Sequence, residues 1–156
     1  MNPVIGCDSP IGRLQIALQG EGVARLRLPG AGPALPERAP EGLLEHRVLA
    51  QLETYFADAR AAFDLPLVET GTRFQRRVWA RLRQIPVGAS LGYGELAQEL
   101  ETSARAVGNA CRANPWPILV PCHRVLAARG LGGYAGAVDG ARLEIKRWLL
   151  RHEGLQ

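Results

Sequence analysis

The residues best suited to chemistry lie in Val120-Pro121-Cys122-His123-Arg124-Val125, where a thiol is followed at once by an imidazole. A thiolate is the nucleophilic form of cysteine, and a neighbouring base or cation favours it. His123 could accept the proton if the chain bends so that ring and sulfur meet. On a regular strand, adjacent side chains point to opposite faces, so the pair predicts a turn or helix start at Cys122. Pro121 fixes its own φ and donates no backbone hydrogen bond, which stiffens the approach. Read alone, the pair fits a reactive thiol or a structural cysteine beside a surface histidine. Glu153 could orient and polarise His123 as a third member of a relay. His152 reads as a surface residue in the last turn of a helix.

Other cysteine chemistry has little support. Cys7, Cys111 and Cys122 are odd in number and scattered, so they do not form a disulfide framework. With His46, His123 and His152 they also lack the short paired spacings of a zinc site, and no metal is expected.

The elements that must position these residues fall into two parts, with the division placed at 1–68 and 69–156. The first reads as β-rich. Gly12 to Leu18 alternates polar and apolar, Gln19-Gly20-Glu21-Gly22 supplies a turn, and Val23 to Leu28 begins the return strand. Val4 to Cys7 could add a third. Pro29 to Pro40 reads as loop. Leu44, Val48, Leu52, Tyr55 and Phe56 then recur at helical spacing, and Phe63 to Val68 reads as an edge strand or connector.

The second part is mostly helical. Thr72 caps a helix whose buried stripe is Phe74, Val78, Leu82 and Ile85. Its arginines, Arg73, Arg76, Arg77, Arg81 and Arg83, fit a solvated face as well as a docking one. Two short helices, Gly94–Leu100 and Ala104–Ala113, are joined through Glu101-Thr102-Ser103, which is a helix-turn-helix pattern. In the second, Val107, Ala110 and Cys111 form the inward stripe, and Cys111 reads as a small buried hydrophobe. Arg105, Gly108, Asn109 and Arg112 form an outward one, suited either to a nucleic-acid groove or to packing on another helix. A last helix spans Asp139 to His152, ended by Gly154.

Composition permits these readings without choosing among them. The 156 residues carry a net charge of +4, with a pI near 9.4. That balance admits a polyanionic partner but does not require one. Lys146 is the sole lysine among the basic residues. The apolar runs are too short to span a bilayer and the amino terminus has no signal-peptide pattern, so a cytoplasmic protein without membrane attachment is expected.

Taken together, the motifs resemble the O6-alkylguanine-DNA alkyltransferase family, the methylated-DNA–protein-cysteine methyltransferases. The matching stretches are Gly71-Thr72-Arg73-Phe74-Gln75, Ile85-Pro86-Val87-Gly88, Gly92-Tyr93-Gly94-Glu95-Leu96-Ala97, Arg105-Ala106-Val107-Gly108, Asn114-Pro115, Pro121-Cys122-His123-Arg124-Val125, Gly133-Tyr134-Ala135-Gly136 and Trp148-Leu149-Leu150 with Glu153-Gly154. The first part matches only loosely.

The resemblance implies an α+β protein: a small N-terminal α/β subdomain, ribonuclease H-like, followed by a mostly helical subdomain with a winged-helix-like helix-turn-helix. It implies a suicide repair reaction on double-stranded DNA carrying O6-alkylguanine, by a monomer without a cofactor and nucleoid-associated through its DNA. Cys122 would attack the alkyl carbon, with His123 as base through a water and Glu153 behind it. Tyr93 would press on a phosphate and donate a proton to the leaving guanine, and Asn114 would brace the active-site loop. Arg105 would fill the gap left by the flipped base, with Gly108, Asn109, Arg112 and Arg124 also at the DNA. Val125 would offer a backbone carbonyl to the base, and Tyr134 and Ala135 would line the pocket. The chain departs from the family pattern in a shorter spacing between Tyr93 and Arg105 and a longer loop after Tyr134. The main rival is a relative that binds alkylated DNA without repairing it; such proteins commonly carry Trp where this chain has Cys122. An unrelated thiol hydrolase or redox enzyme would leave the Arg105 stripe unexplained.

Overall fold

The computed structural model describes residues 2–128, 132 and 140–155. The chain divides into two compact units, Met1–Glu69 and Thr70–Gln156. No helix among the described residues is long and apolar enough to cross a membrane.

In the first unit, β1 (Val4–Ser9), β2 (Gly12–Gln19) and β3 (Gly22–Arg27) form an antiparallel sheet in that order. The alternation read in β2 is the alternation observed, with Leu14, Ile16 and Leu18 buried. Gln15, on the opposite face, is buried too. Its side-chain amide clamps the proline-rich loop, donating to the Leu35 carbonyl and accepting from the Leu35 N–H. Helix α1 (Leu43–Ala57) buries Val48, Leu52 and Tyr55. After it, Leu67 forms a single parallel bridge to Val23, so the connector reaches the sheet without becoming a strand.

The second unit begins with α2 (Arg73–Leu82), closed at its start by a capping box between Thr72 and Gln75. Val78, Trp79 and Leu82 face inward. Two of its arginines are neither simply solvated nor docking groups. Arg77 donates to the Leu100 carbonyl, and Arg81 pairs with Glu99, so both fasten α2 to the end of α3.

A short β4 (Leu91–Gly92) leads into α3 (Tyr93–Glu99), and α4 (Ala104–Arg112) follows. The turn between them closes by a bond from the Thr102 N–H to the Ala97 carbonyl, with Glu101 at φ 55°. This is the Schellman closure, here with glutamate where glycine is usual. The Ser103 hydroxyl then caps α4 by accepting from the Ala106 N–H at 3.1 Å. β5 (Val125–Leu126) pairs in parallel with β4, and α5 (Ala141–His152) completes the chain. The start of α5 expected at Asp139 and the loop 136–139 lie outside the described residues.

Candidate active site

The apolar run Ile118 to Val120 before the cysteine has the composition of a buried strand. It is instead a series of tight turns. The Asn114 carboxamide organises it, accepting from the Trp116 N–H and donating to the Val120 carbonyl, each at 2.9 Å. The Val120 N–H returns to the Trp116 carbonyl at 2.8 Å. Ile118 is fully buried at φ 77°, a conformation costly for a β-branched residue. Pro121, at φ −80° and ψ 66°, then sits at the centre of a γ-turn closed from the Cys122 N–H to the Val120 carbonyl. An apolar run of this length does not separate a strand from buried turns.

Cys122–Arg124 is a single turn of 3-10 helix, which answers the expectation of a bend at Cys122. The sulfur is buried, the residue being 5% exposed. Burial pushes its thiol up, against a lowering hydrogen bond from Asn114 and the charge of Lys146. A three-residue turn contributes little helix dipole, so neighbours must favour the thiolate.

His123 and Arg124 converge on one carboxylate. His123 Nε2 lies 2.8 Å from Glu153 Oε2. Arg124 donates from Nε to Glu153 Oε1 at 2.8 Å and from Nη2 to Oε2 at 3.0 Å. Its Nη1 donates to the Ile85 carbonyl at 2.6 Å. All of this is buried, with the Arg124 side chain only 12% exposed. The sequence reading placed Arg124 among the DNA contacts; its guanidinium is turned inward and occupied by Glu153. Glu153 reaches this position because it is the C-cap of α5. Gly154 follows at φ 92°, and the Leu155 N–H closes on the Leu150 carbonyl. Burial lowers His123 more than Glu153 raises it, so the ring is neutral at physiological pH. With Nε2 committed to Glu153, Nδ1 is the nitrogen that can serve as a base.

The parallel pairing Leu91↔Val125 and Gly92↔Leu126 fixes Tyr93, the first residue of α3, beside the strand leaving this turn. Burial, then the nearby sulfurs of Cys111 and Cys122, raises the Tyr93 hydroxyl well above its ordinary value. It is therefore held as a proton-bearing phenol. Gly132 leaves room for the ring, since a Cβ there would lie 2.9 Å from Tyr93 Cε2. Lys146 of α5 is fully buried, and its Nζ donates to the Val125 carbonyl at 2.8 Å. Sequence reasoning gave this lysine no role; its signal was being the sole lysine in an arginine-rich chain.

Residues 73–155 match the family described as 6-O-methylguanine DNA methyltransferase, DNA binding domain. Over 94% of its length the chain is 45% identical to a Thermus thermophilus DNA base-flipping protein, covering 96% of that protein. It is 38% identical to a methylated-DNA–protein-cysteine methyltransferase of Methanosarcina acetivorans, covering 94% of this chain and 95% of the relative. The crystal structure of Mycobacterium tuberculosis OGT in complex with DNA superposes with a TM-score of 0.81 at 39% identity, covering 96% of this chain and 92% of the other. The chain belongs to the O6-alkylguanine-DNA alkyltransferase family.

The alkyltransferase fold accounts for the rest of the second unit. In its helix-turn-helix, α4 buries Val107, Ala110 and Cys111, while Arg105, Asn109 and Arg112 are exposed. A Cβ at Gly108 would meet nothing within 4 Å, so that face of the helix is open. The inward face is fixed by Trp79, whose Nε1 donates to the Ala110 carbonyl at 2.8 Å and whose ring stacks edge-on to Trp116. The site thus unites Cys122, His123, Glu153, Tyr93, Asn114 and Val125, with Arg124 on its inner side. Arg105, Gly108, Asn109 and Arg112 form a separate outward face of α4. Tyr134 and Ala135 lie outside the described residues.

Proposed function

We propose that this chain repairs O6-alkylguanine in double-stranded DNA by moving the alkyl group irreversibly onto its own Cys122. The observation that carries the reading is the buried Glu153–His123 pair, with His123 following Cys122 in the same 3-10 turn.

The O6 substituent lies inside the duplex, so the base must leave the stack to reach sulfur. The open face of α4 suits that task. Gly108 permits close approach to the minor groove, Asn109 and Arg112 offer polar and cationic contacts, and Arg105 occupies the vacated stack. In the pocket Cys122 sulfur attacks the alkyl carbon, forming the S–C bond as the C–O6 bond breaks. Its proton passes through a water to His123, whose positive charge Glu153 stabilises. Tyr93 gives a proton to the departing guanine. Val125 presents its carbonyl to the base, with Tyr134 and Ala135 lining the pocket. The thioether has no return path, so one chain repairs one lesion. No cofactor enters this scheme. A monomer acting on nucleoid DNA in the cytoplasm fits the reading.

A second reading, flipping without transfer, takes its support from the relative named DNA base-flipping protein. Cys122 in its relay favours transfer. A duplex bearing labelled O6-methylguanine separates the two. Transfer predicts label on the Cys122 peptide and none with Cys122→Ala, which still binds the lesion. Tight binding by the native chain with no label on protein would establish the second reading instead.

A further inference from the structure

Two arginines of α2 meet the last turn of α3. Arg77 donates from Nη2 to the Leu100 carbonyl at 3.0 Å. Arg81 grips Glu99 with two donors, from Nε to Oε2 at 2.7 Å and from Nη2 to Oε1 at 3.2 Å. The two stand at i and i+4, on one face of their helix. In the same helix, Trp79 donates to the Ala110 carbonyl of α4 at 2.8 Å. Helix α2 is therefore a strut bonded to both members of the helix-turn-helix.

The corner between those members gains from an outside support. Glu101, Thr102 and Ser103 alone separate the C-cap Leu100 from the first residue of α4. Glu101 sits at φ 55°, a left-handed conformation costly to a residue with a side chain. The bond from the Thr102 N–H to the Ala97 carbonyl, at 2.9 Å, closes the turn. The Leu100 carbonyl lies past the donors of its own helix and takes its hydrogen from Arg77. Arg105 is the second residue of α4 and is exposed; among the described residues no hydrogen bond or ion pair holds its side chain. Its place is set by the backbone at this corner.

Stability alone is a weak reason for the Arg81–Glu99 pair. With the Glu99 side chain 44% exposed, such an ion pair adds little to folding. Arg81 nevertheless holds the Glu99 carboxyl below the ordinary carboxylate range, so both partners are charged at neutral pH. A bidentate contact of this kind contributes direction where it contributes little energy. Direct contact with DNA phosphate fits the two arginines less well, because each guanidinium is already engaged with α3.

We propose that Arg77 and Arg81 are positioning residues for base flipping: they fix the corner between α3 and α4 and so aim Arg105 at the base stack. The inference rests on the repair reading above. It assigns the two arginines no part in alkyl transfer once the base is in the pocket.

The test compares an O6-methylguanine duplex with free O6-benzylguanine, which requires no flipping. The native chain must first alkylate Cys122 from both; failure there would defeat the repair reading itself. Arg77→Met combined with Arg81→Met should then slow transfer from a saturating duplex by about tenfold, while reaction with the free base stays within about twofold. In an Arg105→Ala background the same pair of replacements should cost nothing further, because it acts through that side chain. Arg81→Glu combined with Glu99→Arg should recover most of the rate lost in Arg81→Glu alone. Equal losses on duplex and free base, or unfolding of the variants, would make the arginines supports of the fold and overturn the proposal. An unchanged duplex rate, or losses that add to that of Arg105→Ala, would overturn it as well. So would weaker duplex binding with an unaltered saturated rate and a reduced salt dependence, the signature of direct phosphate contact.

Discussion

Replacing Glu153 by glutamine keeps the shape of the side chain and removes the charge shared by His123 and Arg124. Arg124 is the larger structural concern, since its side chain is 12% exposed and its two bonds to Glu153, at 2.8 and 3.0 Å, would be weakened. Removing one partner of a buried pair costs about 3–5 kcal/mol. The Ile85 carbonyl still holds Nη1, which places the expected loss near the lower end, about 3 kcal/mol. For a chain of this size that corresponds to a fall in Tm of roughly 6–12 °C. The double-mutant cycle with Arg124→Met isolates the pair, and a coupling of about 2 kcal/mol is expected. At a temperature where Glu153→Gln is folded, transfer from an O6-methylguanine duplex should slow by about 10²-fold or more, because the base behind the thiol loses its anionic support. Thermal unfolding and single-turnover kinetics read the two effects. A Tm within about 2 °C of native, or a rate within about threefold, would refute the argument that this carboxylate organises the centre.

Three further outcomes follow. Arg105→Ala should slow repair of a duplex lesion far more than reaction with free O6-benzylguanine, since only the former requires flipping; equal losses in single-turnover assays would remove the stack-filling role. Glu101→Gly should raise stability by about 1 kcal/mol in urea unfolding, because glycine meets no steric penalty at the left-handed turn between α3 and α4; a destabilised variant would contradict that reading. Stability should also fall on mild acidification. Burial holds His123 below its unfolded value of about 6.5, so the folded state binds fewer protons; the contribution is whole above about pH 6.5 and is lost as pH falls through the folded value. The slope between about pH 6.5 and 5 should diminish in His123→Gln, in a range above the lowered carboxylates Glu37, Glu45, Asp64 and Glu99.

The parts of the molecule legible in the sequence are those set by local rules. The period of Leu14, Ile16 and Leu18, the turn residues after them, and the caps Thr72 and Ser103 each act within a few residues, and each element formed where its pattern lay. The bend at Cys122 was legible for the same reason. Long-range pairing was not. Arg124 reads as a free cation until α5 brings Glu153 to it from 29 residues away. Arg77 and Arg81 read as a solvated stripe until the end of α3 is placed against them. The run Ile118 to Val120 has the composition of a strand, and only the Asn114 hydrogen bonds and the positive φ of Ile118 make it a turn.

The central claim is a single irreversible transfer to one sulfur. Its most direct measurement is intact-protein and peptide mass spectrometry after reaction with increasing equivalents of O6-methylguanine duplex. The account predicts a plateau at one methyl group per chain, carried on Cys122, with unmodified guanine appearing in equal amount. Repeated turnover by one chain, or methyl found on Cys7 or Cys111 instead, would contradict it.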